Sequence, residues 1–99
     1  MTYLDTLADA IYSEVNGGGS PSESERPLYL AYAVLALSVG ERVTWENVHD
    51  AWAAWKAATD PSHPAVKPFA ELDGAVQAKD APYADAIRVV ARRLMPSAS

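Results

Sequence analysis

The sequence contains no cysteine, one phenylalanine, and eight basic residues against thirteen acidic ones. The absence of cysteine excludes disulfide bonds and thiolate–zinc sites, and it fits a reducing cytosol. The formal net charge of −5 disfavours a general nucleic-acid-binding protein, because such a protein needs a basic face to neutralise phosphates. We therefore expect a cytoplasmic protein that does not bind nucleic acid.

Long apolar runs are also absent. The longest run, Leu28–Leu37, is far shorter than the roughly 20 residues that a helix needs to cross a bilayer. The N-terminus has no basic segment followed by an apolar stretch, so we expect no signal peptide. These features predict no association with a membrane.

No familiar catalytic or metal-binding motif occurs. The glycines Gly17–Gly19 are not followed by Gly-Lys-Ser/Thr, and neither G-x-S-x-G nor H-E-x-x-H is present. His49 and His63 are separated by a predicted helix end and a proline turn, and Ser62 next to His63 does not make a nucleophile with its base. We expect no enzyme, no catalytic residue, no metal and no cofactor.

The composition is that of an ordinary globular protein, with 49% hydrophobic and 21% charged residues. Ninety-nine residues are enough for one domain with a modest core. We predict a single helical domain over 1–95, followed by a frayed tail at 96–99.

The first half of the chain predicts two helices. Apolar residues recur at helical spacing over Thr2–Val15, where Thr2 can cap the first turn. A polar, glycine-rich loop follows at Gly17–Glu25. The next helix, at about 27–38, has almost no polar face, which predicts a central helix that is buried.

The second half predicts a third helix at Trp45–Thr59, with Thr44 as its cap and Val43 packing onto Val48. Prolines break the chain after it, and a short turn is expected at 70–72. Two further helices are expected at Gly74–Lys79 and Ala81–Leu94, each preceded by an aspartate that can cap it, Asp73 and Asp80. The last helix is expected to place Tyr83, Ile87, Val90 and Leu94 inward. We therefore predict an all-α fold, a compact bundle of four to five helices.

The segment Val43–Phe69 holds all three tryptophans and both histidines. His49, Trp52 and Lys56 share one edge of the predicted third helix. Trp52 can stack on a planar ring while Lys56 meets an anion, which is one way in which proteins hold a base and its phosphate. The alternative is that the indoles only pack against neighbouring helices.

Three arginines lie near the end of the last predicted helix, where their charge complements the helix dipole. This position is typical of a solvated helix face. They can also join an anion site if the last helix packs on the third one. These residues are Arg88, Arg92 and Arg93.

A series of short motifs resembles the ryanodine-receptor-type repeat (RyR domain), in a short bacterial or phage variant, over about 44–92. The motifs are His49-x-x-Trp52, His63-Pro64, Pro68-Phe69-x-x-Leu72 and Val76-Gln77-x-x-Asp80. The chain is also similar to small proteins of actinobacteria and their phages. The resemblance implies a compact helical module that binds nucleotide-type ligands and carries out no chemistry.

Carried over by position, the resemblance assigns ligand contacts to Trp52, to Lys56, where the family often has arginine, and to His63-Pro64. The Gly-Trp-x-Tyr-Gly stretch that usually precedes the His-Pro pair in the family is missing here. Trp52 and Trp55 would stack, Lys56 and Lys67 would neutralise charge, and His49 or His63 would orient the ligand. The candidate ligand-binding residues are thus Trp52, Lys56, His49, His63, Trp55 and Lys67.

The sequence leaves three readings open. The first is a non-enzymatic binding module for a nucleotide or a nucleotide-derived molecule. The second is a protein–protein adaptor or homodimer, since aromatic anchors beside a proline loop also suit an interface. The third is a purely structural role in which all three indoles are buried.

Overall fold

Four long helices and one short helix make up the part of the chain that the computed structural model describes, residues 2–94. No strand occurs among these residues, which confirms the all-α prediction. The predicted tail at 96–99 lies outside the described residues. Three turns of 3₁₀ helix join the elements at Gly40–Arg42, Phe69–Glu71 and Ala78–Asp80. The α-helices are α1 (Tyr3–Asn16), α2 (Arg26–Ser38), α3 (Trp45–Ala57), α4 (Gly74–Gln77) and α5 (Ala81–Leu94).

Helix α1 begins and ends close to its predicted bounds. The Thr2 hydroxyl accepts a hydrogen bond from the Asp5 backbone N–H at 3.3 Å, and the Asp5 carboxylate accepts one from the Thr2 N–H at 2.9 Å. This reciprocal pair is a capping box. Gly17 ends the helix with a positive φ of 76°, which glycine adopts without steric cost, and its N–H donates to the Ser13 carbonyl.

Helix α3 also begins with a capping box. Thr44 and Asn47 exchange two hydrogen bonds as a second capping box, and Val43 and Val48 are both buried, as the staple predicts. The helix ends at Ala57, two residues before the predicted Thr59. Its last turn tightens there into hydrogen bonds of the i to i−3 type before the proline loop.

Helix α2 is the central element, because it contacts α1, α3 and α5. Its buried side chains include Tyr29 and Tyr32, which are 3% and 1% exposed. Its outer side is not covered, however: Val34 and Leu37 are each 50% exposed. Three neighbouring helices surround only part of this apolar helix, so one strip of it faces solvent.

The core forms where α1, α2 and α5 meet, and the start of α3 closes it. Ile11, Ile87 and Val90 are among its largest buried side chains. Small alanines on α5 let that helix approach its neighbours closely. Leu94, which the periodicity places inward, is 40% exposed, because it lies in the last turn of α5.

The arginines of α5 connect this helix to its surroundings. Arg88 donates to the Val43 carbonyl at 2.7 Å and to Asp85 at 3.1 Å. Arg92 pairs with Glu41 at 2.8 Å, and Arg93 pairs with Glu14 at 3.2 Å. No helix within residues 2–94 has the length and apolar character needed to cross a membrane.

Candidate functional site

A cavity of about 730 Å³ lies between α2 and α3. The end of α1 and the segment from α4 to the first turn of α5 complete its wall. Its volume falls within the range of roughly 300–1,000 Å³ that is common for small-molecule sites.

Five aromatic side chains line the cavity, and helical spacing accounts for four of them. Two residues on α2 and two on α3 are separated by three positions, which places each pair on one helix face. The fifth comes from the first turn of α5. These residues are Tyr29, Tyr32, Trp52, Trp55 and Tyr83.

The tyrosines form one contiguous cluster. The Tyr29 and Tyr32 ring centroids are 5.2 Å apart in an edge-to-face arrangement, and the Tyr32 and Tyr83 centroids are 5.8 Å apart. Edge-to-face pairs are a favourable geometry for aromatic rings. The cluster therefore gives the cavity a rigid wall on the α2 side.

The tryptophans form the opposite wall. The Trp55 indole N–H donates to the Ser24 carbonyl at 3.1 Å, which fixes the ring and attaches the end of the glycine-rich loop to α3. Trp52 lies between His49 and His63, with ring centroids at 5.8 Å and 5.3 Å. Both indoles are partly exposed, so each keeps some surface that a ligand can cover.

Tyr32 is almost fully buried, yet none of the hydrogen bonds formed within residues 2–94 uses its hydroxyl group. No buried side-chain nitrogen or oxygen in this part of the chain lacks a partner. The phenol oxygen must therefore reach accessible space, and Tyr32 lines the cavity. Burial raises the pKa of Tyr32 well above its ordinary value and that of Tyr29 to about 12, so both phenols stay neutral near pH 7.

His49 is the one buried polar residue in the described core, at 3% exposure. Its Nε2 lies 2.7 Å from the Lys67 backbone oxygen. Because a carbonyl oxygen only accepts hydrogen bonds, Nε2 must carry the proton in this contact. This bond ties α3 to the proline loop.

Asp80 lines the cavity and is partly buried. Its carboxylate takes part in no hydrogen bond and no ion pair among the described residues, so it does not cap α5 in the expected way. Partial burial raises its pKa above the ordinary value, and the charge of nearby His49 offsets this in part. Lys79 and Glu25 are the other charged residues of the lining, and Glu25 accepts a hydrogen bond from Ser22 at 3.1 Å.

The structure brings three of the six predicted ligand residues together in this cavity, namely His49, Trp52 and Trp55. The other three lie outside its lining. The Lys56 ammonium sits over the Trp55 ring, 5.9 Å from the centroid. The His63 ring accepts a hydrogen bond from the Ala65 N–H at 3.1 Å, and Lys67 contributes its carbonyl rather than its side chain.

The polar residues that sequence reasoning did not assign to a site are Glu25, Tyr29, Tyr32, Lys79, Asp80 and Tyr83. The two tyrosines of α2 looked like core residues because the whole helix is apolar. Asp80 looked like a helix cap because it precedes Pro82 and a periodic segment. One feature of the sequence could have indicated the cavity. Several tyrosines in a small core need hydrogen-bond partners for their hydroxyl groups, or a cavity that the hydroxyl groups can reach.

A second, shallower depression of about 450 Å³ also lies between α2 and α3, and the half-exposed Val34 is part of its lining. Val34 and Leu35 form its floor together with Asn47, Asp50 and an alanine pair. In the part of the chain that the structure describes, no three His, Asp or Glu residues come together as a metal site.

The resemblance to the RyR domain is wrong. The family model that matches the chain begins at residue 2 and includes α1 and α2, whereas the resemblance started only at about residue 44. No RyR-domain model matches. The histidines that suggested the resemblance have local roles here, because His49 binds the Lys67 carbonyl and His63 stabilises its own turn.

The match extends over residues 2–92, and the matching model is that of a domain of unknown function, DUF7701. No curated protein and no solved structure matches the chain. The match covers nearly all of α1 to α5, and therefore the whole aromatic cavity. The chain thus belongs to the DUF7701 family.

Proposed function

We propose that the protein is a non-enzymatic binding module, and that its aromatic cavity takes a small molecule with a ring. The observation that carries this proposal is the cavity itself, in which five aromatic side chains and a few polar groups converge. Such a combination is typical of small-molecule sites. Stacking of one ring on Trp52 or Trp55 is worth about 1–3 kcal/mol by analogy with base stacking.

A nucleotide-derived molecule remains one candidate ligand, and the charges favour its ring over its phosphate. Lys56 and Lys67, which were expected to neutralise an anion, lie outside the lining. A phosphate in the cavity would meet Lys79 but also Glu25 and Asp80. We therefore expect a nucleoside to bind better than its phosphorylated form.

A role without chemistry is consistent with the lining. Within the described residues, the lining includes no Ser, Thr or Cys that could serve as a nucleophile. His49 is held by the Lys67 carbonyl at its Nε2. A cytoplasmic location stays a prediction from the cysteine-free composition.

The first experiment is a thermal melt with parallel tryptophan fluorescence. The probes are adenosine, guanosine, their 5′-monophosphates, ADP-ribose and a library of ring-bearing fragments at millimolar concentration. A ligand that binds the native state raises the melting temperature, and a ring on Trp52 or Trp55 changes the fluorescence. If no probe changes either signal, the proposal is wrong.

Matched variants locate the site. Val76 lines the cavity, whereas Val34 lies half-exposed on the outer side of α2, so Val76→Trp fills the cavity and Val34→Trp does not. We expect the first variant to lose the ligand-induced shift and the second to keep it, each measured against its own unliganded melt. Equal shifts in both would show that the ligand binds elsewhere.

A protein interaction is the second candidate function, and one observation favours it. Val34 and Leu37 lie one turn apart on the uncovered side of α2, and each is 50% exposed. Sedimentation velocity of the wild type and of Leu37→Glu tests this reading. A dimeric wild type with a monomeric variant supports an interface at this strip. If both proteins are monomers at all concentrations, the homodimer is excluded.

A further inference from the structure

We propose that the ligand of the aromatic cavity is an organic cation whose charged nitrogen binds beside the Asp80 carboxylate and against the aromatic wall. This inference rests on the proposed binding function and specifies its ligand class. Three observations support it: the balance of charge in the lining, the state of the Asp80 side chain, and the number of aromatic faces.

The acidic groups of the lining occupy partly buried positions. The lining contains the partly buried carboxylates of Glu25 and Asp80. Its basic residues, among those described, are Lys79, which is exposed, and His49, whose Nε2 is held by the Lys67 carbonyl. The arginines of α5 pair with carboxylates or carbonyls outside the cavity. The whole chain has the same sign, with a net charge of −5, so it attracts cations over long range as well.

The Asp80 carboxylate lacks a donor in the unliganded protein. Neither a hydrogen bond nor an ion pair to it forms between residues 2 and 94, although its sequence neighbour Lys79 carries a charge. Partial burial disfavours the charged form of this carboxylate, and nearby His49 offsets this only in part, so an incoming cation would stabilise the charged form further. A neutral ring would leave the carboxylate as it is, and an anion would add repulsion.

The aromatic wall suits the same ligand. The face of an aromatic ring attracts cations, and the effect is strongest for tryptophan. Trp52 and the three tyrosines place several rings around one space that Glu25 and Asp80 also line. The Lys56 ammonium already lies over the Trp55 ring, 5.9 Å from its centroid, so we assign the cation to the other rings. The Tyr32 hydroxyl, which has no partner within the described residues, offers an oxygen to a donor of the ligand, such as the hydroxyl group of a phenol.

Two probes of the same shape separate charge from shape. The probes are 4-(trimethylammonio)phenol, which is cationic, and 4-tert-butylphenol, which is its neutral counterpart. We expect calorimetric titration to show at least tenfold tighter binding of the cationic probe at pH 7. We further expect the preference to shrink as the pH falls, because protonation of Asp80 removes the charge that the cation meets. Glu25 and His49 also line the cavity, so the part of the pH dependence that is lost in Asp80→Asn is the part that belongs to Asp80.

Variants assign the preference to the carboxylate. Asp80→Asn keeps the size of the side chain and removes its charge, so it should abolish most of the preference for the cationic probe while the neutral probe binds as before. Asp50→Asn is the control, because Asp50 is exposed and lines the second, separate depression. The control should keep the full preference.

The possible results distinguish this inference from the function on which it rests. Equal affinity for both probes means that the cavity binds ligands but does not select cations, which overturns the inference. Binding of nucleosides without binding of either probe also overturns the inference and leaves the proposed binding function intact. If neither these two probes nor the nucleosides, nucleotides and fragments of the thermal melt bind, both this inference and the proposed binding function are wrong. A preference that persists in Asp80→Asn overturns the role given to Asp80.

Discussion

At the scale of single residues, we expect the Asp80 carboxylate to lower the stability of the folded protein, because partial burial disfavours its charged form. Its carboxylate is partly buried and has no donor in the described structure. Functional sites commonly contain groups that lower stability in this way. The free energy of unfolding should therefore report on this residue even before a ligand is known.

We predict that Asp80→Asn raises the melting temperature at pH 7. Because the pKa of Asp80 is raised in the folded state, the folded protein binds this proton more tightly than the unfolded chain does. The ionised carboxylate thus lowers stability above the folded-state pKa, and the penalty disappears as the pH falls below the ordinary value of 3.8. Melts from pH 8 to pH 3 should show the two curves converging at low pH; a variant that is less stable at pH 7 contradicts the assignment.

Asp5 should behave in the opposite way. Hydrogen bonds from Thr2, followed by the charge of Arg26, hold the pKa of Asp5 below its ordinary value of 3.8. Asp5→Asn should keep the capping geometry, as Asn47 does in α3, but it loses the charge. We expect a lower melting temperature than wild type at pH 7, with the difference lost as the pH falls from 3.8 through the folded-state pKa. A difference that is independent of pH would contradict this account.

The sequence predicted that three residues of the cavity lining share one helix face. His49, Trp52 and Trp55 were identified because residues three or four positions apart on a helix share a face. The spacing did not identify Asp80, Tyr32 and Lys79. Their proximity to α3 arises from how α2 and the start of α5 pack. Spacing along one helix carries no information about that packing.

At the scale of elements, local signals predicted the helices well. Thr2 and Thr44 both complete capping boxes, and Gly17 ends α1 where the sequence expects it. The helix ends that differ from prediction, at Ala57 and Gln77, are places where the chain continues as tighter turns. Capping boxes thus mark the starts of α1 and α3, whereas α4 begins after Asp73 without a hydrogen bond from its backbone to that side chain.

We predict that Thr44→Ala lowers the free energy of unfolding by about 1 kcal/mol, the usual cost of a lost cap. Thr2→Ala should cost a similar amount, because the same pair of hydrogen bonds is lost at α1. Urea unfolding followed by circular dichroism measures both. Thr59→Ala is the control, since its hydroxyl makes only a weak, exposed contact of 3.4 Å with the Lys56 carbonyl. A Thr44 variant as stable as this control would show that the cap is not important.

At the scale of the whole molecule, the core and the cavity share side chains of α2, because Tyr29 and Tyr32 belong to the buried core and also line the cavity. Ile87 is fully buried in the core, and the cavity opens where α2 faces α3. The sequence predicted a central second helix but not its exposed strip at Val34 and Leu37. An all-apolar helix has no polar residue to mark which side its neighbours leave open.

Ile87→Ala should lower the free energy of unfolding by about 2–5 kcal/mol, because it leaves a cavity in a packed core. Val34→Ala, at a half-exposed position, should change it by less than about 0.5 kcal/mol. Denaturant unfolding curves of both variants, fitted with one shared slope of free energy against denaturant concentration, give the two free energies of unfolding. Similar losses for both would mean that the core is not where the structure places it.

The central claim is that a small molecule binds between α2 and α3, and the three tryptophans test it directly. Trp52 and Trp55 line the cavity, whereas Trp45 lies outside it with 38% of its surface exposed. The indole N–H signals, assigned with single Trp→Phe variants, should be followed by NMR while 4-(trimethylammonio)phenol is added. The account predicts saturable shifts of the Trp52 and Trp55 signals with Trp45 unchanged. Saturable movement of Trp45 alone, or no saturable shift with this probe or with the nucleoside panel, would contradict it.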